Sequence, residues 1–139
     1  VVWPGRLELV TLGDRAVLLD AAHNPAAAAA LATYLRATFP TGLPIVLGAM
    51  NDKDVDGIVH ALTPCATRFV CTAPDRPRAI PACELAERVR RIAGSTPVIA
   101  DSHPWHGVEA AWGGSRTVCV TGSIFLIGEV RSAIDAETS

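Results

Sequence analysis

The feature that most constrains the fold of this chain is the regular alternation of short apolar runs with segments of helical periodicity. The predicted strands are 16–20, 43–49, 68–72, 97–100 and 117–121, and the predicted helices are 26–39, 54–62, 81–92, 105–112 and 123–134. The apolar runs have the composition of strands buried on both faces. Strands that alternate with helices favour a mainly parallel sheet covered by helices on both faces, because the crossovers are right-handed.

The N-terminal segment adds a strand of different character. Residues 6–12 alternate polar and apolar side chains, and a turn at 12–15 leads directly into the apolar run at 16–20. This pattern predicts a hairpin and therefore one antiparallel strand. We predict an α/β, Rossmann-like fold with about six strands. A chain of 139 residues fits one compact domain, so we expect a single domain over residues 1–139.

Composition narrows the class of protein. Half of the residues are hydrophobic, 19% are charged and the net charge is -2, which argues against disorder and against a basic nucleic-acid-binding surface. No apolar run approaches the ~20 residues that cross a bilayer. We therefore expect a soluble protein that binds neither nucleic acid nor membrane. We also expect the protein to be cytoplasmic and monomeric. Since no Cys-x-x-Cys spacing occurs, we interpret the four cysteines as reduced core or near-core thiols: Cys65, Cys71, Cys83 and Cys119.

Polar segments follow three of the predicted strands, at 20–24, 48–54 and 121–123. Ligands of parallel sheets collect at the carboxyl ends of strands, and helix N-termini favour anions. Asp20 and His23 have three possible interpretations. They could act as an acid and a proton carrier, or both could contact a ligand. Alternatively, Asp20 only caps the turn and His23 is an exposed loop residue. Lys53 fits a ligand contact or a solvated cation paired with a neighbouring carboxylate. Ser123 fits a helix cap or a ligand contact.

Other candidate residues have simpler interpretations. Arg6 fits a surface position on the hairpin strand, and residues 76–78 fit a rigid basic turn. We assign no site to His60, His103 or His106. Neither Gly-x-Gly-x-x-Gly nor Gly-x-x-x-x-Gly-Lys-Ser/Thr occurs, so the sequence contains no recognisable phosphate-binding loop. Local pattern alone therefore predicts an α/β domain with an edge suited to anions.

Four motifs in register carry a more specific resemblance. They are Trp-Pro-Gly-Arg-Leu-Glu at 3–8, Asp-Ala-Ala-His-Asn-Pro at 20–25, Gly-Ala-Met-Asn-Asp-Lys-Asp at 48–54 and Thr-Gly-Ser-Ile-Phe-Leu-Ile-Gly-Glu-Val-Arg at 121–131. In order and separation they resemble the C-terminal domain of the bacterial folylpolyglutamate synthase/dihydrofolate synthase family, which belongs to the Mur-type ligases. The resemblance extends over nearly the whole chain.

This resemblance implies an activity and a set of site residues. In the family, ATP and Mg²⁺ drive formation of an acyl phosphate on a pterin-linked carboxylate, and the amine of L-glutamate attacks it to form an amide. By motif position, Arg6 resembles an arginine that reaches the ATP phosphates, and Asp20 a carboxylate that holds the ribose. His23 resembles a catalytic histidine near the phosphate and the incoming glutamate. Lys53 and Ser123 resemble residues that bind the glutamate carboxylates.

The resemblance also implies that the active site is shared between two domains. The phosphate loop, the Mg²⁺ ligands and most of the folate site belong to an N-terminal ATPase domain, so we expect that domain as the partner, no metal site in this chain, and no turnover by this chain alone. The expected substrate is dihydropteroate, a reduced folate or both. Two alternatives stay open: a non-catalytic α/β docking module, and the C-terminal domain of another Mur-type ligase that acts on a cell-wall precursor.

Overall fold

The structure, a computed structural model, describes residues 5–138, so the first two residues of the first motif lie outside the described part. Within the described part there are six strands and five α-helices, and from the second strand onward strands and α-helices alternate. The strands are β1 (Glu8–Leu12), β2 (Arg15–Asp20), β3 (Leu43–Leu47), β4 (Ala66–Cys71), β5 (Val98–Ala100) and β6 (Thr117–Thr121). The helices are α1 (Pro25–Thr38), α2 (Val55–Leu62), α3 (Ala82–Ala93), α4 (Pro104–Ala111) and α5 (Ile124–Thr138). Across residues 5–138, none of the helices combines the length and the apolarity needed to span a bilayer.

All six strands form one sheet in the order β1-β2-β6-β3-β4-β5. The five strands from β2 to β5 in that order are parallel, and β1 pairs antiparallel with β2 at the edge. The predicted six-stranded, mainly parallel sheet with an antiparallel strand from an N-terminal hairpin is confirmed. Because β6 inserts between β2 and β3, the carboxyl ends of these three strands lie side by side.

Two hydrophobic cores cover the two faces of the sheet. Helices α1, α2 and α3 pack on one face, where Leu18 of β2 is buried, and α4 and α5 pack on the other, where Val17 and Leu19 are buried. Successive residues of a strand point to opposite faces, so a strand between two helical layers must be apolar throughout. This is why the run at 16–20 contains no alternation of polar and apolar side chains.

Polar caps begin three helices at the same edge of the sheet. The Oδ1 of Asn24 accepts a hydrogen bond from the backbone N–H of Ala27 (2.8 Å) and starts α1. The Asp54 carboxylate accepts from Gly57 (3.0 Å) and starts α2. The Oγ of Ser123 accepts from the backbone N–H of Phe125 (3.1 Å) at the start of α5. Such caps satisfy N–H groups that have no partner within the helix.

Several strand and helix ends differ from the predicted ones by one or two residues, and three differences have a further consequence. Strand β1 begins at Glu8 rather than at residue 6, because Gly5 and Leu7 have positive φ angles of 73° and 49° and form a turn. The interpretation of Cys83 as a core or near-core thiol was wrong, since it lies on the solvent face of α3. Helix α5 continues to Thr138, beyond the predicted end at residue 134. The other three cysteines are buried and free, and burial raises the pKa of the Cys71 and Cys119 thiols.

Candidate functional site

The three predicted polar segments leave the sheet next to one another. Asp20 at the end of β2 and Leu47 at the end of β3 both lie beside Thr121, the last residue of β6. The backbone N–H of Gly48 donates to the carbonyl of Thr121 (3.2 Å), so the loops after β3 and β6 begin in contact. The structure therefore gathers the predicted site residues at one edge, around two separate clefts.

The first cleft has a volume of about 520 Å³ and lies at the end of β2. Its walls come from the turn at 5–7, the loop at 20–24 and the first turns of α1, and its lining includes Arg6, Asp20, His23 and Asn24. Arg6 is exposed within this lining. The cleft thus brings together one cation, one carboxylate and one imidazole, all three of which the sequence motifs single out.

Asp20 lies in the lining of the first cleft and is held there by backbone hydrogen bonds. Only 5% of this residue is exposed. Its Oδ1 accepts a hydrogen bond from the backbone N–H of Ala22 (2.9 Å), and its Oδ2 accepts one from Leu7 (3.2 Å). Burial raises the pKa of Asp20, while these two hydrogen bonds and the charge of Arg6 lower it. Because each carboxylate oxygen has two lone pairs, the side chain keeps acceptor capacity for a ligand hydroxyl.

One ring nitrogen of His23, in the lining of the first cleft, faces a backbone carbonyl. Its Nδ1 lies 3.0 Å from the carbonyl oxygen of Ala21. A carbonyl oxygen only accepts, so Nδ1 carries the proton and donates it, and Nε2 of the neutral ring is an acceptor. The side chain is exposed. This arrangement leaves one nitrogen that can take up a proton from a ligand.

The second cleft has a volume of about 340 Å³ and is lined by Met50, Asp52, Lys53, Arg76, Pro77, Arg78 and Phe125. It forms because the loop after β3 pairs with the loop after β4. Met50 and Ala79 form an antiparallel bridge, and the backbone N–H of Asn51 donates to the carbonyl of Arg78 (2.8 Å). This pairing brings three cations to one cleft.

The second cleft contains more positive than negative side chains. Asp52 pairs with an Nη2 of Arg78 at 3.3 Å and with the Nζ of Lys53 at 3.9 Å. The guanidinium of Arg76 lies 4.0 Å from the centre of the Phe125 ring. Three cations with one carboxylate leave an excess of positive charge, which favours an anionic ligand. Sequence interpretation had treated 76–78 only as a basic turn and so missed Arg76 and Arg78.

Ser123 lies between the two clefts but is almost completely buried, with 2% exposed. Its Oγ accepts the cap hydrogen bond from Phe125, and Phe125 lines the second cleft. The interpretation of Ser123 as a helix cap is confirmed, and its role as a ligand contact stays a prediction. The N-terminus of α5 therefore borders the cleft that contains Lys53.

Within residues 5–138, no group of three or more His, Cys, Asp or Glu side chains could hold a metal ion. A larger groove of about 1020 Å³ runs between α5 and the loops after β4 and β5, and none of the five predicted site residues lines it. It shares only Arg76 and Phe125 with the second cleft.

The turn that carries Arg6 is held by the Glu8 carboxylate, which accepts from Gly5 and from Arg131. The stability of the fold should therefore depend on the ionisation of Glu8. The hydrogen bond from the Gly5 N–H lowers the pKa of Glu8, burial opposes that effect, and Arg131 lowers the pKa further. A lowered folded-state pKa stabilises the fold above about pH 4.5, and this stabilisation is lost as the pH falls through the folded-state value. The advantage of the wild type over Glu8→Gln in unfolding free energy, measured by urea unfolding, should therefore shrink as the pH falls from about 7 to below about 4.5. An advantage that is the same at both pH values would contradict the ionic role of Glu8.

Comparisons with known proteins agree with the geometry. A family described as "Mur ligase, glutamate ligase domain" matches residues 5–124. The dihydrofolate synthase/folylpolyglutamate synthase of Mycobacterium tuberculosis is 37% identical over 95% of this chain and 30% of its own length. The structure of M. tuberculosis folylpolyglutamate synthase complexed with ADP superposes with a TM-score of 0.87 at 35% identity, covering 96% of this chain and 32% of the other.

A second solved structure extends the comparison. Escherichia coli FolC in complex with DHPP and ADP has a TM-score of 0.86 at 27% identity and covers 99% of this chain and 33% of the other. The chain thus spans about a third of the length of the relatives that it matches. The resemblance predicted from the four motifs is confirmed.

Proposed function

The chain belongs to the glutamate ligase domain family of the Mur ligases, and from this premise we propose that it is the C-terminal domain of an ATP-dependent ligase that adds L-glutamate to dihydropteroate, to reduced folates or to both. The whole protein would include an N-terminal ATPase domain that supplies the phosphate loop and the Mg²⁺ ligands. The observation that carries this proposal is the placement of two chemically different clefts side by side at the ends of β2, β6 and β3. One has an arginine, a carboxylate and a histidine, and the other has an excess of positive charge.

We assign the first cleft to ATP. Arg6, exposed in the lining, would contact the phosphates, since guanidinium groups bind phosphate oxygens through paired hydrogen bonds. Asp20 would accept hydrogen bonds from the ribose hydroxyls with the lone pairs that Ala22 and Leu7 leave free. That solved relatives of this chain are complexed with ADP supports a nucleotide as a ligand of the whole protein.

We assign the second cleft to L-glutamate. Lys53 and the N-terminus of α5 at Ser123 would bind its carboxylates, because an ammonium group and free helix N–H groups both favour anions. Arg76 and Arg78 line the same cleft and add positive charge to it. A dicarboxylate presents two charges, which suits a cleft with several cations better than a single anion would.

The reaction then proceeds in two steps that the two clefts position. An oxygen of the folate carboxylate attacks the γ-phosphorus of ATP, which forms the acyl phosphate and releases ADP. The amine of glutamate attacks the acyl carbon, a proton leaves the amine, and phosphate departs with the oxygen that came from the carboxylate. His23 is our candidate acceptor for that proton through Nε2, since Nδ1 is held by Ala21. Holding both reactants in place supplies much of the rate enhancement.

The test uses the full-length protein and follows ADP formation from ATP. We expect ADP to form only when both L-glutamate and dihydropteroate or a tetrahydrofolate are present. ADP formation with a nucleotide-linked cell-wall precursor instead would identify another Mur-type ligase. No ADP with any of these acceptors would favour the non-catalytic docking module, and either result would overturn the proposal.

A separate prediction concerns the domain without its partner. The first cleft offers ATP one arginine and one ribose contact, too few interactions to offset the cost of ordering a triphosphate. We expect calorimetry of this domain with Mg-ATP to show no binding tighter than about millimolar, which is about -4 kcal/mol. A micromolar dissociation constant would show that the nucleotide site lies entirely within this chain.

A further inference from the structure

The turn that presents Arg6 has an unusual backbone. Gly5 and Leu7, on either side of Arg6, have φ angles of 73° and 49°. Leu7 is the only non-glycine residue with a positive φ in the part of the chain that the structure describes. A leucine persists in this conformation only where its surroundings hold it there, and such residues concentrate at functional sites. The contacts that hold the turn therefore bear on where Arg6 points.

One set of contacts joins the turn to the end of β2. The backbone N–H of Ala21 donates to the carbonyl of Gly5 (2.7 Å), and the N–H of Leu7 donates to the Asp20 carboxylate (3.2 Å). These bonds fix both ends of the turn against the strand that carries Asp20.

A second set of contacts joins the turn to α5. The Oε1 of Glu8 accepts hydrogen bonds from the backbone N–H of Gly5 (2.9 Å) and from the Nη1 of Arg131. A Cβ added at Gly5 would lie 3.1 Å from the Cγ2 of Ile127, so the turn rests directly on this helix. Ile127 and Arg131 are four residues apart and share one helix face. The same helix begins at Ile124, directly after Ser123, beside the second cleft.

We propose that Arg131 is a positioning residue for Arg6. It acts through Glu8, which its guanidinium holds in place to receive the Gly5 N–H, and the fixed turn then directs Arg6 into the first cleft. This inference rests on the proposed function, in which Arg6 contacts the ATP phosphates. Removing Arg131 leaves the two bonds to β2 intact and releases the side of the turn that rests on α5.

The experiment compares Arg131→Gln, Arg131→Lys, Arg6→Ala and the double variant Arg6→Ala/Arg131→Gln in the full-length enzyme. We expect Arg131→Gln to raise the KM for ATP by about fivefold with the KM for L-glutamate unchanged, and Arg131→Lys to restore most of the loss. In the Arg6→Ala background, Arg131→Gln should have no further effect, because it acts only through Arg6. Arg88→Gln is the matched control, since Arg88 pairs with Asp56 on a different part of the surface.

Two results would overturn the inference. One is an Arg131→Gln effect that multiplies with that of Arg6→Ala; the other is an equal change in both KM values. If Arg6→Ala leaves the KM for ATP unchanged, the assignment of Arg6 to ATP is wrong. In that case hydrogen exchange of the backbone amides tests whether Arg131 still positions the turn that carries Arg6. The Gly5 amide, which donates to Glu8, should exchange faster in Arg131→Gln than in wild type or Arg88→Gln, and equal rates would refute the positioning role.

Discussion

Replacing Gly122 by alanine is expected to destabilise the domain by more than about 3 kcal/mol. Gly122 has a φ of 110°, and a Cβ there would lie 2.1 Å from the carbonyl oxygen of Gly48 and 2.8 Å from the Leu47 Cδ1. The first of these atoms belongs to the backbone, and the hydrogen bond from Gly48 to Thr121 holds that backbone in place. The variant must therefore separate the loops after β3 and β6, which carry Lys53 and Ser123.

Gly114→Ala provides the matched control for this prediction. Gly114 also has a positive φ, 98°, but a Cβ there would meet no atom within 4 Å. It should therefore show only the cost of the backbone conformation, about 1–3 kcal/mol. Urea unfolding of both variants measures the difference, and equal losses would show that the contact between the two loops contributes nothing.

Replacing Lys53 by alanine in the full-length enzyme is expected to raise the KM for L-glutamate by about 10- to 150-fold. This corresponds to ~1.5–3 kcal/mol, the range for a hydrogen bond to a charged group. Lys53 is only weakly neutralised, because its contact with Asp52 is 3.9 Å long and Arg78 lies closer to the same carboxylate, at 3.3 Å. Its ammonium group is therefore available to a ligand carboxylate. The KM for ATP should not change, since Arg6 and Asp20 line the other cleft.

Two variants control the Lys53 experiment. Lys53→Arg keeps the charge and should retain part of the affinity for glutamate. Arg91→Ala removes a charge from the exposed face of α3 and should leave both KM values as they are. An unchanged KM for glutamate in Lys53→Ala would favour the docking module over the ligase.

Much of the fold followed from local pattern because the sheet is covered on both faces. Strands such as β2 and β3 are then continuously apolar, and the polar segments between them mark helix starts. Asn24 and Ser123 were predictable caps for the same reason, since both stand between an apolar run and a helical segment. Local pattern singled out four candidate site residues after strand ends: Asp20, His23, Lys53 and Ser123. The motif resemblance added Arg6 and the roles of all five. The structure places all five at the predicted edge of the sheet.

The second cleft was only partly predictable, because it depends on contacts between distant loops. Arg78 reaches Asp52 only because segment 78–80 pairs with segment 49–51, and no local pattern encodes that bridge. One signal was present: Arg76 and Arg78 follow the predicted strand 68–72 just as the other polar segments follow theirs. The rule that identified those segments would have identified this one.

The turn at 5–7 shows a different limit of local pattern. The alternation of polar and apolar residues begins at position 6, so periodicity alone extended the strand too far. The turn is held by a hydrogen bond from Leu7 to Asp20, 13 residues away, and by Glu8, which accepts from Gly5 and pairs with Arg131, 123 residues further along the chain. Tertiary contacts therefore override the local preference for an extended strand.

Transfer of oxygen from the folate carboxylate to phosphate tests the central claim most directly. The full-length enzyme is supplied with ATP, L-glutamate and dihydropteroate, or a reduced folate, labelled with ¹⁸O in the carboxylate that receives glutamate. If that carboxylate is activated as an acyl phosphate, each glutamate added should release one inorganic phosphate that carries one ¹⁸O atom. Glutamate addition accompanied by unlabelled phosphate would contradict the proposed ligase chemistry.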